Sequence, residues 1–154
     1  MYGAVAFDLD DTLAVTRRDR ETLLRAAAEA AGVPLSFDRE DYLAAHREHS
    51  GSETRRPVFE ALLSDPDEAA ALTRAYNEAI LEAIEPVDGA GSLLERLAAR
   101  RRLGLLTDGP ERTQRDKLRR LGRLRPHADA RVRRERRRGE GRATRRPRGR
   151  RDPG

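Results

Sequence analysis

The stretch Ala4-Val5-Ala6-Phe7-Asp8-Leu9-Asp10-Asp11-Thr12-Leu13 limits what this chain can become more than any other. A run of small and β-branched apolar residues suits a strand buried on both faces of a parallel sheet. Three carboxylates within four residues then follow, with a hydroxyl behind them. Unpaired charges cannot share a dry core. The strand, expected over residues 5–9, must therefore end near Asp8 and leave its acids at the carboxyl edge, where open α/β sheets place their ligand crevice. Like charges crowded there need a positive partner, and a hard divalent cation such as Mg²⁺ meets that need most simply.

The pattern turns helical around residues 16–20. Leu23, Leu24, Ala27, Ala28 and Ala31 share one helix face, and Gly32 stands where a helix-terminating glycine belongs. A second helix is expected over residues 38–49 and a short third over residues 57–63. Asp65-Pro66-Asp67-Glu68 supplies an N-cap, a proline for the first helical position and an acid three residues on. Leu72, Tyr76, Ile80, Ala83 and Ile84 continue at helical spacing until Pro86 stops the helix. Residues 14–86 thus read as an all-helical insert. After Asp88-Gly89 a further helix carries Leu93, Leu94, Leu97 and Ala98. A second apolar run, Leu103-Gly104-Leu105-Leu106, ends in Thr107-Asp108-Gly109-Pro110, and Pro110 opens a last helix closed by Leu121-Gly122. Two strands joined through helices make an α/β beginning.

Charge divides the chain at this point. Residues 1–122 carry 18 basic and 23 acidic side chains, whereas residues 123–154 carry 14 arginines against 4 acids. The overall +5 averages a mildly acidic protein and a basic tail. Apart from alanines, the tail holds only Leu124 and Val132 as apolar residues, so it is expected to be disordered and to supply no buried strand. Without interleaved aromatics or a folded module, its contact with nucleic acid is expected to be weak, non-specific and salt-sensitive. The chain has no cysteine, which suits the reducing cytoplasm, and no apolar run long enough to span a bilayer.

Both strand ends lie on one edge of a parallel sheet, and together they suggest a reaction. Asp8 can act as a nucleophile, because an anionic carboxylate needs no base to activate it. Asp10, two residues on, can serve a leaving-group oxygen as acid and then as base. Thr107 offers a hydroxyl, and the backbone N–H groups of Asp108 and Gly109 open a helix where an anion is welcome. Nucleophile, proton shuttle, cation and phosphate cradle describe metal-assisted phosphoryl transfer.

Phe7-Asp8-Leu9-Asp10-Asp11-Thr12-Leu13 resembles the first motif of the haloacid dehalogenase-like hydrolases, and Leu105-Leu106-Thr107-Asp108-Gly109 resembles the second. The helical insert is similar to the cap of phosphoglycolate-phosphatase-like members. The resemblance covers roughly residues 2–122. It implies an α/β fold: an incomplete Rossmann-like parallel sheet (residues 1–13 and 87–122), a helical cap (14–86) and an Arg-rich tail (123–154). It further implies Mg²⁺-dependent hydrolysis of a small phosphorylated metabolite. Asp8 would be nucleophile and metal ligand, Asp10 acid/base with its backbone carbonyl on the metal, and Thr107, Asp108 and Gly109 would take the phosphate. Thr12 would support the loop.

Three departures stand out. Asp108 replaces the family's frequent Asn, an extra charge that would be tolerated if its side chain turned away to cap the helix at Pro110. The third motif, a lysine in a Gly-Lys-Pro-type turn, and the fourth, paired acids after another strand, have no match after residue 122. The Arg, Gly, Pro and Ala of the tail are what GC-rich DNA yields out of frame, so a core cut off or frame-disrupted after Gly122 is expected. Lys117, two turns into its helix, is expected at the solvated surface, as are His46 and His49. Arg47, Arg55 and Arg56 could touch an anionic substrate, though a solvated charged face is the plainer expectation. The competing class is a non-catalytic fragment that binds polyanions through its tail. A dehalogenase fits less well, since attack on an alkyl halide needs no metal.

Overall fold

The computed structural model describes residues 3–49, 51–124 and 132–134. Strand β1 (Ala4–Phe7) ends two residues earlier than the apolar run suggests. Past Asp8 the chain turns sharply: the Leu9 carbonyl accepts the backbone N–H groups of Leu13 and Ala14 at 3.0 Å and of Thr12 at 3.4 Å. Asp11 takes φ 59° within that turn, a left-handed conformation that Asp tolerates better than most side chains. Leu9 is thereby driven into the core while the neighbouring acids stay outside it.

A two-stranded antiparallel ribbon follows, formed by β2 (Ala14–Thr16) and β3 (Ile84–Pro86) with Ala14 opposite Pro86 and Thr16 opposite Ile84. It begins and ends the segment read as all-helical. Three-residue strands such as Ala-Val-Thr and Ile-Glu-Pro are too short to show a period of two, and that is why the pattern hides them. Arg17 and Glu85 pair across the ribbon.

Between the two ribbon strands run α1 (Arg20–Ala31), α2 (Arg39–Glu48), α3 (Arg56–Glu60) and α4 (Pro66–Ala83). Their ends follow from local chemistry. Asp19 caps α1 by accepting the Thr22 N–H, and Gly32 ends it at φ 66°. Asp38 and Asp41 form a reciprocal capping box on α2, and Asp65 caps α4 with Pro66 at the first turn. These helices bury their own apolar core, in which Tyr42, Phe59 and Tyr76 pack with ring centroids 5.6–5.8 Å apart.

The chain returns through α5 (Ala90–Ala98), β4 (Arg102–Thr107), α6 (Glu111–Arg120) and a 3₁₀ turn (Gly122–Leu124) to β5 (Val132–Arg134). The sheet order is β1-β4-β5, all parallel, with Phe7 opposite Leu105 and Thr107 opposite Arg134. A second apolar core gathers Leu9, Leu13, Ile84, Leu94, Leu105, Leu121 and Leu124 beside it.

Two expectations are corrected here. Strand β1 is not buried on both faces, since Ala4 and Ala6 are exposed and only Val5 and Phe7 are partly covered. The segment after Arg123, expected to be disordered, does supply a three-residue strand: β5 extends the sheet by backbone pairing with β4 and holds a single apolar residue, Val132. The disorder expected of the rest of the tail, residues 125–131 and 135–154, falls outside the described residues.

Phe59 is wholly enclosed by the helical core. Phe59→Ala is expected to lower stability by about 3–5 kcal/mol, read as a reduced denaturation midpoint in urea.

Candidate active site

The carboxyl ends of β1 and β4 stand side by side in the sheet, and their acids and hydroxyl open into one cavity of about 1620 Å³ beneath the helices. All five residues singled out in the sequence, Asp8, Asp10, Thr107, Asp108 and Gly109, line it. Asp8 follows the last residue of β1 and is exposed. One of its carboxylate oxygens accepts the backbone N–H of Leu9 at 2.8 Å, which fixes the side chain against the turn.

Asp10 is held on both oxygens. Lys117 Nζ donates to Oδ1 at 2.5 Å and Gln114 Nε2 donates to Oδ2 at 2.8 Å. Burial pushes this carboxyl upward, but the Lys117 charge and the two hydrogen bonds outweigh it and hold Asp10 below the usual carboxylate range. Lys117 is 3% exposed and Gln114 is fully buried. The solvated surface expected for Lys117 is therefore wrong. Helix α6 turns Thr113, Gln114 and Lys117 inward, so polar side chains occupy the stripe that apolar ones usually fill. That spacing of i, i+1 and i+4 in a helix almost devoid of apolar residues was the available signal for both Gln114 and Lys117.

At the end of β4, Thr107 is buried and its Oγ1 accepts the Gly109 N–H at 3.2 Å. The Gly109 N–H is thus already engaged rather than free for an anion. A Cβ on Gly109 would lie 1.8 Å from Gln114 Nε2, so glycine is what lets the amide cross to Asp10. Asp108 does not cap α6, which lacks any side-chain cap, and its exposed side chain lines the cavity. The extra negative charge is accommodated by solvent instead.

The facing wall comes from the helices and is basic. Arg20, His46, Arg47 and Arg55 line it together with Tyr76. Arg56 points elsewhere and pairs with Glu60 at 2.6 Å. His46 is no surface histidine: burial first, then the charges of Arg55, Arg20 and Lys117, push its imidazole down to about 4, with Asp10 pulling weakly the other way. Burial at the mouth of α2 was invisible in its spacing alone. His49 ends α2, its N–H bonded to the Ala45 carbonyl. Among the described residues no three His, Cys, Asp or Glu side chains cluster as a complete metal cage. The exposed carboxylate of Asp8 beside Asp10 is nevertheless a hard-oxygen donor set of the kind Mg²⁺ takes when water and substrate complete its shell.

A family model for haloacid dehalogenase-like hydrolases matches residues 2–143. The chain belongs to that family. The match runs past Gly122, where the motif-based resemblance stopped, and takes in β5. Among solved structures, the chain resembles YfnB from Bacillus subtilis, assigned as a HAD-hydrolase and bound to magnesium, at 28% identity and TM-score 0.55 over 81% of this chain and 61% of that one. It also resembles a Thermotoga maritima protein assigned as a beta-phosphoglucomutase, at 24% identity and TM-score 0.58 over 86% and 61% of the two chains, a likeness of fold. The chain thus spans about 61% of the length of each. Comparison with curated proteins gave no significant match. No helix among the described residues is long and apolar enough to cross a membrane.

Two measurements check this electrostatic picture. Lys117→Met strands the Asp10 carboxylate and is expected to cost about 1–3 kcal/mol; adding Asp10→Asn should restore part of it in a double-mutant cycle, whereas strict additivity would mean the two groups do not interact. For His46 the folded value lies below the ordinary 6.5, so as pH falls from about 6.5 to about 4 the unfolded chain takes up a proton that the folded chain refuses. Stability should decline across that window, and His46→Gln should make the decline shallower in urea titrations.

Proposed function

We propose that this chain is a phosphatase-type hydrolase that cleaves the phosphomonoester of a small metabolite through an aspartyl-phosphate on Asp8. The observation that carries the reading is the meeting of Asp8, Asp10 and Thr107 in one cavity, with Asp8 exposed and fixed by the Leu9 N–H. In the first half of the reaction an Asp8 oxygen attacks phosphorus, the P–O bond to the leaving group breaks, and the departing oxygen takes a proton from the protonated form of Asp10, the minor form of a carboxyl that Lys117 and Gln114 hold below its usual range. In the second half, water attacks the phosphorus of the acyl phosphate, passes its proton to Asp10 and releases inorganic phosphate with Asp8 regenerated. Held below the usual carboxylate range by Lys117 and Gln114, Asp10 favours the anionic form that activates this water.

Thr107 receives the Gly109 N–H on its oxygen, which leaves its own O–H to donate to a phosphate oxygen. Asp108 would contribute its backbone N–H at the same edge. Gly109 would act mainly by leaving room for Gln114. Mg²⁺, held by the Asp8 carboxylate and the Asp10 carbonyl, would neutralise charge on the transferring phosphoryl group. Its presence on the magnesium-bound YfnB supports that assignment. The four helices between the ribbon strands, within residues 14–86, would serve as the cap that covers the substrate, and the sheet segments, 1–13 and 87–122, as the catalytic core. The lack of cysteine supports a cytoplasmic setting.

The test is hydrolysis of p-nitrophenyl phosphate by the full chain with and without Mg²⁺. Mg²⁺-dependent release, reduced to background by Asp8→Asn, is expected. Activity that survives Asp8→Asn would overturn the assignment of the nucleophile. A chain inert in every condition, yet binding DNA in a salt-sensitive way, would favour the non-catalytic reading.

A further inference from the structure

The parallel sheet ends on an unguarded edge. Its order is β1-β4-β5, so among the described residues β1 has a neighbouring strand on one side only. The Arg102 N–H bonds the Gly3 carbonyl at 3.1 Å, and the register runs on from Ala4 opposite Arg102 to Phe7 opposite Leu105. Successive residues of an extended strand turn their backbone groups to opposite sides. Gly3, Val5 and Phe7 therefore address β4, whereas Ala4 and Ala6 turn their N–H and C=O groups outward. Both alanines are exposed.

Strand edges are normally protected by charged side chains, a proline or a bulge. Ala4-Val5-Ala6-Phe7 has no charge and no proline, and its register with β4 is unbroken. The opposite edge differs, since two of the three residues of β5 are arginines. Charge then selects what can join β1. At its carboxyl end Asp8 and Asp11 are exposed, and so is Asp108 after the neighbouring strand. At its amino end, beside Gly3 and Ala4, Arg100 and Arg102 are exposed and Arg101 is half-buried. Among the described residues none of these three arginines joins an ion pair. The edge thus runs from basic to acidic. A second copy related by a two-fold axis runs antiparallel to the first and sets each acidic end beside the other's basic end.

We propose that β1 pairs antiparallel with β1 of a second copy of this chain, joining two three-stranded sheets into one of six strands. The outward backbone groups set the register. Ala4 of each copy exchanges both hydrogen bonds with Ala6 of the other, and Val5 meets its counterpart on the axis, with Cα atoms about 4.5 Å apart. The pairing is independent of the phosphatase reading.

The full chain has no cysteine, so a single introduced thiol reports its own position. Val5→Cys should form a disulfide-linked dimer under mild oxidation, because that separation lies within disulfide range. Leu93→Cys is the collision control: Leu93 is 38% exposed on α5, and its thiol should stay uncrosslinked. Sedimentation velocity should find the wild-type chain in a concentration-dependent monomer–dimer equilibrium. Ala4→Pro removes an outward N–H and Ala4→Lys places a charge on the edge. Each should raise the Kd roughly tenfold or more while melting stays cooperative, and Ala4→Lys decides alone if Ala4→Pro fails to fold. Joint replacement Arg101→Glu and Arg102→Glu should weaken the dimer in the same direction. A wild-type chain that sediments as a monomer up to about 100 μM would overturn the proposal. So would a dimer that survives the Ala4 or the arginine substitutions, or one that crosslinks through residue 93 as readily as through residue 5.

Discussion

Carboxylates gathered at a strand end must be balanced by positive charge, and in this chain the balance is struck between Asp10 and the pair Gln114 and Lys117. The arrangement ties the turn after β1 to the helix after β4, about a hundred residues later in the chain. It explains why α6 turns polar side chains inward and why Gly109 carries no side chain. A lysine buried against a carboxylate is costly to desolvate, so such a pair is weak evidence for stability and better evidence for a geometry the protein needs. Here that geometry keeps Asp10 ionised while Asp8, two residues away, stays open to the cavity.

Charge is sorted across the cavity as well. The sheet edge supplies acids and one hydroxyl, whereas the helices supply arginines and a histidine held neutral. The aromatic trio of Tyr42, Phe59 and Tyr76 gives the basic wall rigidity, because the same tyrosines that fill the helical core also hold Arg55. The basic wall of the cavity and the helical core therefore share side chains.

What the sequence disclosed follows from how local each signal is. Caps at Asp19, Asp38 and Asp65 and the glycine stop at Gly32 depend on neighbours within a few residues, and the helices they bound were readable. The acidic motif and the second strand end were readable because their residues stand together in the chain. The ribbon of β2 and β3 was not, since each strand is three residues long and finds its partner about seventy positions away. Lys117 was misjudged for a similar reason. Its burial depends on Asp10, 107 residues earlier, and a charged residue in an arginine-rich helix gives no local sign of such a partner. Strand β5 was missed because side-chain composition was weighed where backbone pairing decides.

The central claim is that Asp8 is the group that accepts a phosphoryl unit. Its most direct test is to incubate the full chain with acetyl phosphate and Mg²⁺, quench in acid, and map the peptides by mass spectrometry. A phosphoryl adduct on Asp8, absent from Asp10 and Asp11 and lost in Asp8→Asn, is the predicted result. An adduct carried by another residue, or hydrolysis that proceeds with no adduct at Asp8 under rapid quench, would contradict it.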